Sequence, residues 1–195
     1  MSDSFVDPYL DPTSGVLRNK LGITDSHKLA TAENLATARA AQLGVPRGDF
    51  DATHVRAIHR HLFGKVYDWA GKLRTDIPVM TKGSSKFLPG PYILTGLADV
   101  HGQVKDANYL QGRTPKAFAV GAARIIGDLN FVHPFREGNG RVQYQFLKQL
   151  GERAGHRVDL QKLNAPQWMR ASIAAHDKRY GRMAVLIFRA VSADD

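Results

Sequence analysis

His133-Pro134-Phe135-Arg136-Glu137-Gly138-Asn139-Gly140-Arg141 is the stretch on which the reading of this chain turns. It gathers a histidine, a carboxylate, an asparagine between two glycines and a closing arginine, just ahead of an amphipathic run. The first N–H groups of a helix have no intrahelical acceptor, and the helix dipole adds partial positive charge there. Gly138 and Gly140 let a ligand approach that backbone closely and permit positive φ, so Gly138-Asn139-Gly140 reads as a phosphate cradle. Arg141 adds a rigid cationic fork suited to phosphate oxygens. Glu137 beside such a cradle is repelled by phosphate unless a divalent cation lies between them, which makes it a candidate Mg²⁺ ligand. An unperturbed histidine titrates near ~6.5, so His133 is a candidate acceptor of a hydroxyl proton at neutral pH. Each residue alone has an ordinary structural explanation, but the set points to chemistry on a nucleotide.

Working outward, the pattern is helical. A helix is expected over 25–43, capped by Thr24 or Asp25, with Leu29, Ala32, Leu35, Ala36 and Leu43 at helical spacing. Gly44, Pro46 and Gly48 break the chain, and an Asp51 cap opens a second helix burying Val55, Ile58, Leu62 and Phe63. Helices are also expected over 92–107, from Thr114 with Pro115 in the first turn to Phe131, and after the motif to Gly151 or Gly155. Two more follow from Ala165 onward, separated near Gly181. Residues 72–91 differ: Leu73, Ile77, Val79 and Met80 lead into a Gly/Ser/Pro-rich run, which predicts a short β-hairpin or ordered flap. Residues 1–22 read as an irregular arm. The expectation is one all-α domain over 1–195 with one small hairpin, a catalytic loop at 133–141 and C-terminal helices in 142–195.

Composition agrees with a globular chain, at 43% hydrophobic and 23% charged residues. No apolar run approaches the roughly 20 residues that span a bilayer, and the N-terminus lacks a secretory signal pattern. With no cysteine there is no disulfide framework, which fits the cytoplasm. The net charge of +9 favours anionic partners. Lys and Arg are scattered without a basic block, so direct nucleic-acid binding is disfavoured. His59 and His61 do not share a helix face, and His54, His101 and His176 lack neighbouring ligands; His59 is expected to be structural.

The motif resembles the signature of the Fic (filamentation induced by cAMP) domain. The likeness extends to Asp7-Pro8-Tyr9, to Leu17-Arg18-Asn19-Lys20-Leu21 and to Ile58-His59 followed by Leu62-Phe63. It continues through Tyr67-Asp68-Trp69-Ala70-Gly71-Lys72 and Ser85-Lys86-Phe87. The resemblance implies a Fic-type helical bundle with a β-hairpin flap, and transfer of AMP from ATP to a protein hydroxyl. It implies that His133 is the general base, with Pro134 and Phe135 fixing the loop. The same resemblance implies that Glu137 holds Mg²⁺ against the phosphates. It implies that Gly138, Asn139 and Gly140 form the anion hole, with Asn139 on the α-phosphate and Arg141 on the β-phosphate. It also implies that Lys86 and Phe87 of the flap clamp a target Ser, Thr or Tyr segment by strand-like pairing.

Two departures matter. The signature usually continues to a second arginine that grips the γ-phosphate, whereas here Tyr144 stands in its place among the ATP-binding positions. An attenuated transferase, a different donor, or a non-catalytic nucleotide-binding module are the readings left open. Second, many relatives inhibit themselves with a helix bearing Ser or Thr, three residues, Glu, then Gly or Asn. Glutamate occurs here only at Glu33, Glu137 and Glu152, and Glu33-Asn34 has Leu29 four positions earlier, so that pattern fails. The chain therefore resembles a bacterial toxin whose inhibitor is a separate small antitoxin, and family resemblance suggests type II topoisomerase subunits as targets.

Overall fold

The computed structural model describes residues 6–83 and 85–192. The first five residues of the expected arm, Ser84 of the expected flap and the last three residues of the C-terminal region lie outside them.

Seven helices follow in order among the described residues: α1 Ser26–Gln42, α2 Ala52–Phe63, α3 Ile93–Asp106, α4 Pro115–Val132, α5 Asn139–Ala154, α6 Ala165–His176 and α7 Gly181–Ala190. Their boundaries are set by local chemistry. The Asp25 carboxylate accepts from Lys28 N–H, Asp51 from His54 N–H, and the Thr114 hydroxyl from Ala117 N–H ahead of Pro115. Gly155, at φ +84°, closes α5 in the left-handed region.

Helix α4 is the axis of the bundle, packed by α3, α5, α6 and α7. It is apolar on nearly every side and carries small residues where neighbours close in. A side chain at Gly127 would meet the Tyr180 ring at 2.6 Å. Phe118, Ile126 and Leu129 are buried along it, with Phe135 and Phe146 continuing the same core.

The structure corrects the expected face of α1. Leu35 and Leu43 are 70% and 77% exposed, and the buried stripe is Leu29, Glu33 and Thr37. A polar stripe can face inward because its groups find partners there, as the site shows.

The expected hairpin is smaller than 72–91. Strands β1 Thr81–Lys82 and β2 Ser85–Lys86 pair antiparallel, Thr81 with Lys86 and Lys82 with Ser85. The chain before them is irregular, and a 3₁₀ turn at Gly90–Tyr92 follows. A second antiparallel pair, β3 Arg157–Val158 with β4 Val191–Ser192, was not expected; it fastens the end of α7 to the chain beyond α5. The arm over its described residues is irregular, with one bridge between Leu10 and Leu17, yet Tyr9 is buried edge-on against Trp69. No described helix is long and apolar enough to cross a membrane.

Candidate active site

Helix α4 ends at His133, whose φ of +46° and ψ of +61° place it in the left-handed region. Pro134 follows and cannot continue the helix. The turn delivers the imidazole to a cavity of about 440 Å³ that also opens on Gly138, Gly140 and Arg141 at the start of α5. Flap residues Lys82 and Phe87 form one wall, and Tyr144 and Trp168 form another.

His133 is positioned from three directions. Its Nδ1 faces the Asn130 carbonyl at 3.3 Å, so Nδ1 carries the proton and Nε2 keeps its lone pair. Its ring lies flat on Phe87, with centroids 3.7 Å apart. Its carbonyl accepts from Arg74 Nε at 2.6 Å. Burial, then the Arg74 charge, then that of Lys82, lower its pKa from 6.5 to about 3, so the imidazole is neutral at physiological pH.

Arg74 is fully buried, and no carboxylate pairs with it among the described residues. Its Nη2 donates to Leu88 O at 2.7 Å and Val132 O at 3.1 Å, and its backbone N–H donates to Pro134 O at 3.0 Å. Carbonyls at the end of α4 supply partial negative charge to the guanidinium. Burial pushes its pKa down to about 10, leaving it charged at neutral pH.

The loop rests on aromatic packing. Phe135 stacks on His59 at 3.9 Å, and His59 on Phe63 at 4.6 Å. Gly71 N–H donates to His59 Nδ1, so Nε2–H donates to Glu137 O at 3.0 Å. Burial lowers the His59 pKa to about 3; it is the structural histidine expected. Pro134 and Phe135 are both buried.

Gly138, at φ +83°, admits no side chain: a Cβ there would lie 2.3 Å from the Phe63 ring. Its N–H donates to Glu137 Oε1 at 2.8 Å. Gly140 has open space beside it and lines the cavity.

Three of the expected site residues make contacts that the sequence does not announce. Asn139 is buried, and both ends of its carboxamide are engaged by the loop. Nδ2 donates to Phe135 O at 2.7 Å, and Oδ1 accepts from Phe135 N–H at 2.9 Å. It staples the loop. Arg141 is turned to α1: Nη2 pairs with Glu33, Nη1 donates to Asn34 Oδ1 at 3.3 Å, and the guanidinium lies 4.7 Å over the Phe63 ring. Phe87 is 5% exposed beneath the flap and stacks on His133, and Lys86 stays exposed.

Arg74 lies far from the motif and carries no sequence signal, and Glu33 enters the sequence reading only as an inhibitory glutamate whose pattern fails at Leu29. Glu33 is 6% exposed and also accepts from the Tyr67 hydroxyl. Thus α1 brings a carboxylate onto the motif arginine although the inhibitory pattern is missing. Tyr144 is half-buried against Trp168, ring centroids 5.0 Å apart, and burial raises its pKa. Trp168 Nε1 is buried without a protein acceptor among the described residues. Arg136, exposed in part, pairs with Asp7 at 2.6 Å and ties the arm to the loop.

No group of three metal-ligating side chains converges among the described residues. Glu137 is one partly exposed carboxylate beside a helix start. Such a donor fits a cation whose other ligands are phosphate oxygens and water, the usual Mg²⁺ arrangement.

A profile of the Fic/DOC family matches residues 49–150. Among curated relatives, the protein adenylyltransferase VbhT of Bartonella schoenbuchensis is 38% identical over 186 residues, covering 94% of this chain but 38% of VbhT. A probable protein adenylyltransferase of Sinorhizobium fredii, y4lH, is 36% identical across 95% of this chain and 96% of its own length. Among solved structures, BepC of Bartonella tribocorum with bound AMPPNP has a TM-score of 0.89 at 30% identity, covering 96% of this chain and 97% of that one. The N-terminal Fic domain of a Bartonella quintana effector with bound ADP has a TM-score of 0.88 at 33% identity, covering 94% of each.

Proposed function

Because the chain belongs to the Fic/DOC family, we propose that it transfers AMP from ATP to a Ser, Thr or Tyr hydroxyl of a target protein. One observation carries this reading. A neutral imidazole with a free Nε2 shares a cavity with the glycine-bearing start of a helix, the pairing of proton acceptor and phosphate cradle that the reaction needs.

In the proposed step His133 Nε2 takes the hydroxyl proton while the hydroxyl oxygen attacks the α-phosphorus. The bond to the bridging oxygen breaks, and pyrophosphate leaves with its electron pair. Backbone N–H groups at Gly140 and Arg141 face the phosphates, and Trp168 and Tyr144 wall the space open to the base. Glu137 is the residue to hold Mg²⁺, which when bound neutralises phosphate charge. Positioning and fixed dipoles supply most of the rate in such chemistry. The flap edge at β2, with exposed Lys86, is suited to pair with an extended target segment.

The test is incubation with labelled ATP, Mg²⁺ and cell lysate. Wild type should label protein hydroxyls and His133→Ala should not; equal labelling by both overturns the reading. The missing inhibitory pattern supports a toxin held in check by a separate small protein, and family resemblance supports type II topoisomerase subunits as targets. Co-purification of a small partner and mass addition of AMP on those subunits are the respective checks.

A specific observation favours a second reading, an attenuated or non-catalytic nucleotide-binding module. Tyr144 brings no charge to the place of a second arginine, and Arg141 is engaged by Glu33. Calorimetry with ATP and ADP separates the two. If the Tyr144 side chain is what weakens γ-phosphate contact, Tyr144→Arg raises ATP affinity about tenfold and leaves ADP affinity unchanged. If transfer stays absent in that variant, the module reading stands.

A further inference from the structure

Helices α6 and α7 enclose a groove on the outer surface of the bundle, away from the core side of α4. Two adjoining hollows of about 480 and 310 Å³ share Arg170 of α6 and Arg182 of α7. Ile173 and Val185 stand half-exposed in it, at 48% and 49%. Arg189 extends the cationic rim by two turns along α7. Neither helix contains a carboxylate, and Asp177 on the connecting turn is engaged by Arg179 at 2.7 Å. Among the described residues Arg170, Arg182 and Arg189 have no ion pair.

Unpaired like charges beside exposed aliphatic side chains are an arrangement that folding alone does not favour. The two features select one kind of occupant. A phosphate backbone would use the arginines but not the apolar floor, and a lipid surface would need apolar residues that protrude rather than line a concavity. A helix with leucine-like residues on one face and carboxylates beside them uses both.

The groove is also continuous with the candidate active site. Ile173, and Met169 one turn earlier, line the cavity that holds His133. His176, at the end of α6, lies 6.0 Å from the Phe87 ring at the base of the flap. A polypeptide crossing the flap is therefore led onto α6. We propose that the α6–α7 groove docks an acidic amphipathic segment of the target protein, holding it while a hydroxyl elsewhere on that chain reaches His133. This rests on the transfer reading above. Tethering the target at a second site raises the effective concentration of its hydroxyl without a new contact at the reacting atoms.

The probe is a labelled helical peptide with leucines on one face, glutamates on the other and one terminal serine. Controls are its lysine-for-glutamate counterpart, phosphatidylserine vesicles and a DNA duplex. Binding is measured by anisotropy without nucleotide, in wild type and in His133→Ala, so that failure of the groove and failure of transfer are read separately. The acidic peptide should bind, lose affinity about tenfold or more in Arg170→Glu/Arg182→Glu, weaken with salt and protect α6 and α7 from hydrogen exchange. Val185→Asp should act likewise, with both variants melting as wild type does. Label transfer to the terminal serine should show a raised KM and an unchanged kcat in the arginine variant. Unchanged affinity in both variants, equal binding of the lysine peptide, or vesicle or duplex uptake through these arginines without the peptide overturns the proposal. A bound peptide that blocks transfer to other acceptors also overturns it, by making the groove an inhibitor's site.

Discussion

Arg74 Nε donates to the His133 carbonyl at 2.6 Å while its Nη2 donates to Leu88 O at 2.7 Å, so one buried guanidinium fastens the base of the flap to the 133–141 loop. His133 sits at a left-handed φ that a non-glycine residue adopts only when its surroundings hold it there. Arg74 is the group doing so, with Pro134 O tied to its own N–H.

Replacing Arg74 by Lys keeps the charge but loses the fork that reaches two chain segments. Label transfer should fall about tenfold or more in kcat, while ATP affinity by calorimetry stays within about threefold. Arg74→Met should cost about 3 kcal/mol or more, since buried carbonyls lose charged donors. That corresponds to a melting temperature lower by roughly 6–12 °C. A Lys variant with wild-type kcat would show that the clamp does not position His133.

The two motif glycines should fail differently. Gly138→Ala forces a Cβ onto Phe63 at positive φ, so the loop is displaced and both stability and transfer drop. Gly140→Ala meets open space and ordinary helical backbone, so the melting temperature holds. Its methyl stands in the cavity, and ATP affinity should fall about tenfold. Calorimetry beside thermal melting checks both; equal destabilisation by the two substitutions would contradict the geometry.

Glu33 and Arg141 form an ion pair across 108 residues of sequence. With Glu33 also accepting from Tyr67, removal of either charge leaves the other buried in part. In a double-mutant cycle of Glu33→Gln and Arg141→Ala, unfolding free energies should couple by roughly 1–3 kcal/mol. Simple additivity would mean the pair contributes little.

The depressed histidines set an acid limb. His59 and His133 ordinarily titrate at 6.5 and are lowered to about 3 in the fold, each chiefly by burial. Above 6.5 both states hold them neutral and stability is full. Below it the unfolded chain binds protons that the folded chain does not, so stability falls as pH drops from 6.5 toward 3. Denaturation midpoints should therefore fall with acid, and His133→Ala should show a shallower slope by up to one proton. Transfer, which needs the neutral imidazole, should not show a titration near 6.5; a rate midpoint there would refute the assignment.

Much of the molecule is written locally. Asp25, Asp51 and Thr114 with Pro115 mark the starts of α1, α2 and α4, and Gly155 the end of α5, because a cap is decided by a few adjacent residues. The motif announced its own turn, since Gly138 tolerates nothing else. The buried stripe of α1 is not legible in apolar spacing, because it depends on Glu33 and Thr37 finding Arg141. Likewise β3 and β4 are two-residue segments whose pairing exists only because the chain end returns to α5.

Sequence by itself determined the helix order, the helical class and the nine-residue constellation, because periodicity, caps and glycine φ act between neighbours. Tertiary structure alone decided that Asn139 turns inward, that Phe87 lies beneath the flap against His133, and that Arg74 and Glu33 serve the site from distant segments. Those outcomes depend on which carbonyl or charge the folded chain brings within hydrogen-bond distance, and no local pattern encodes that.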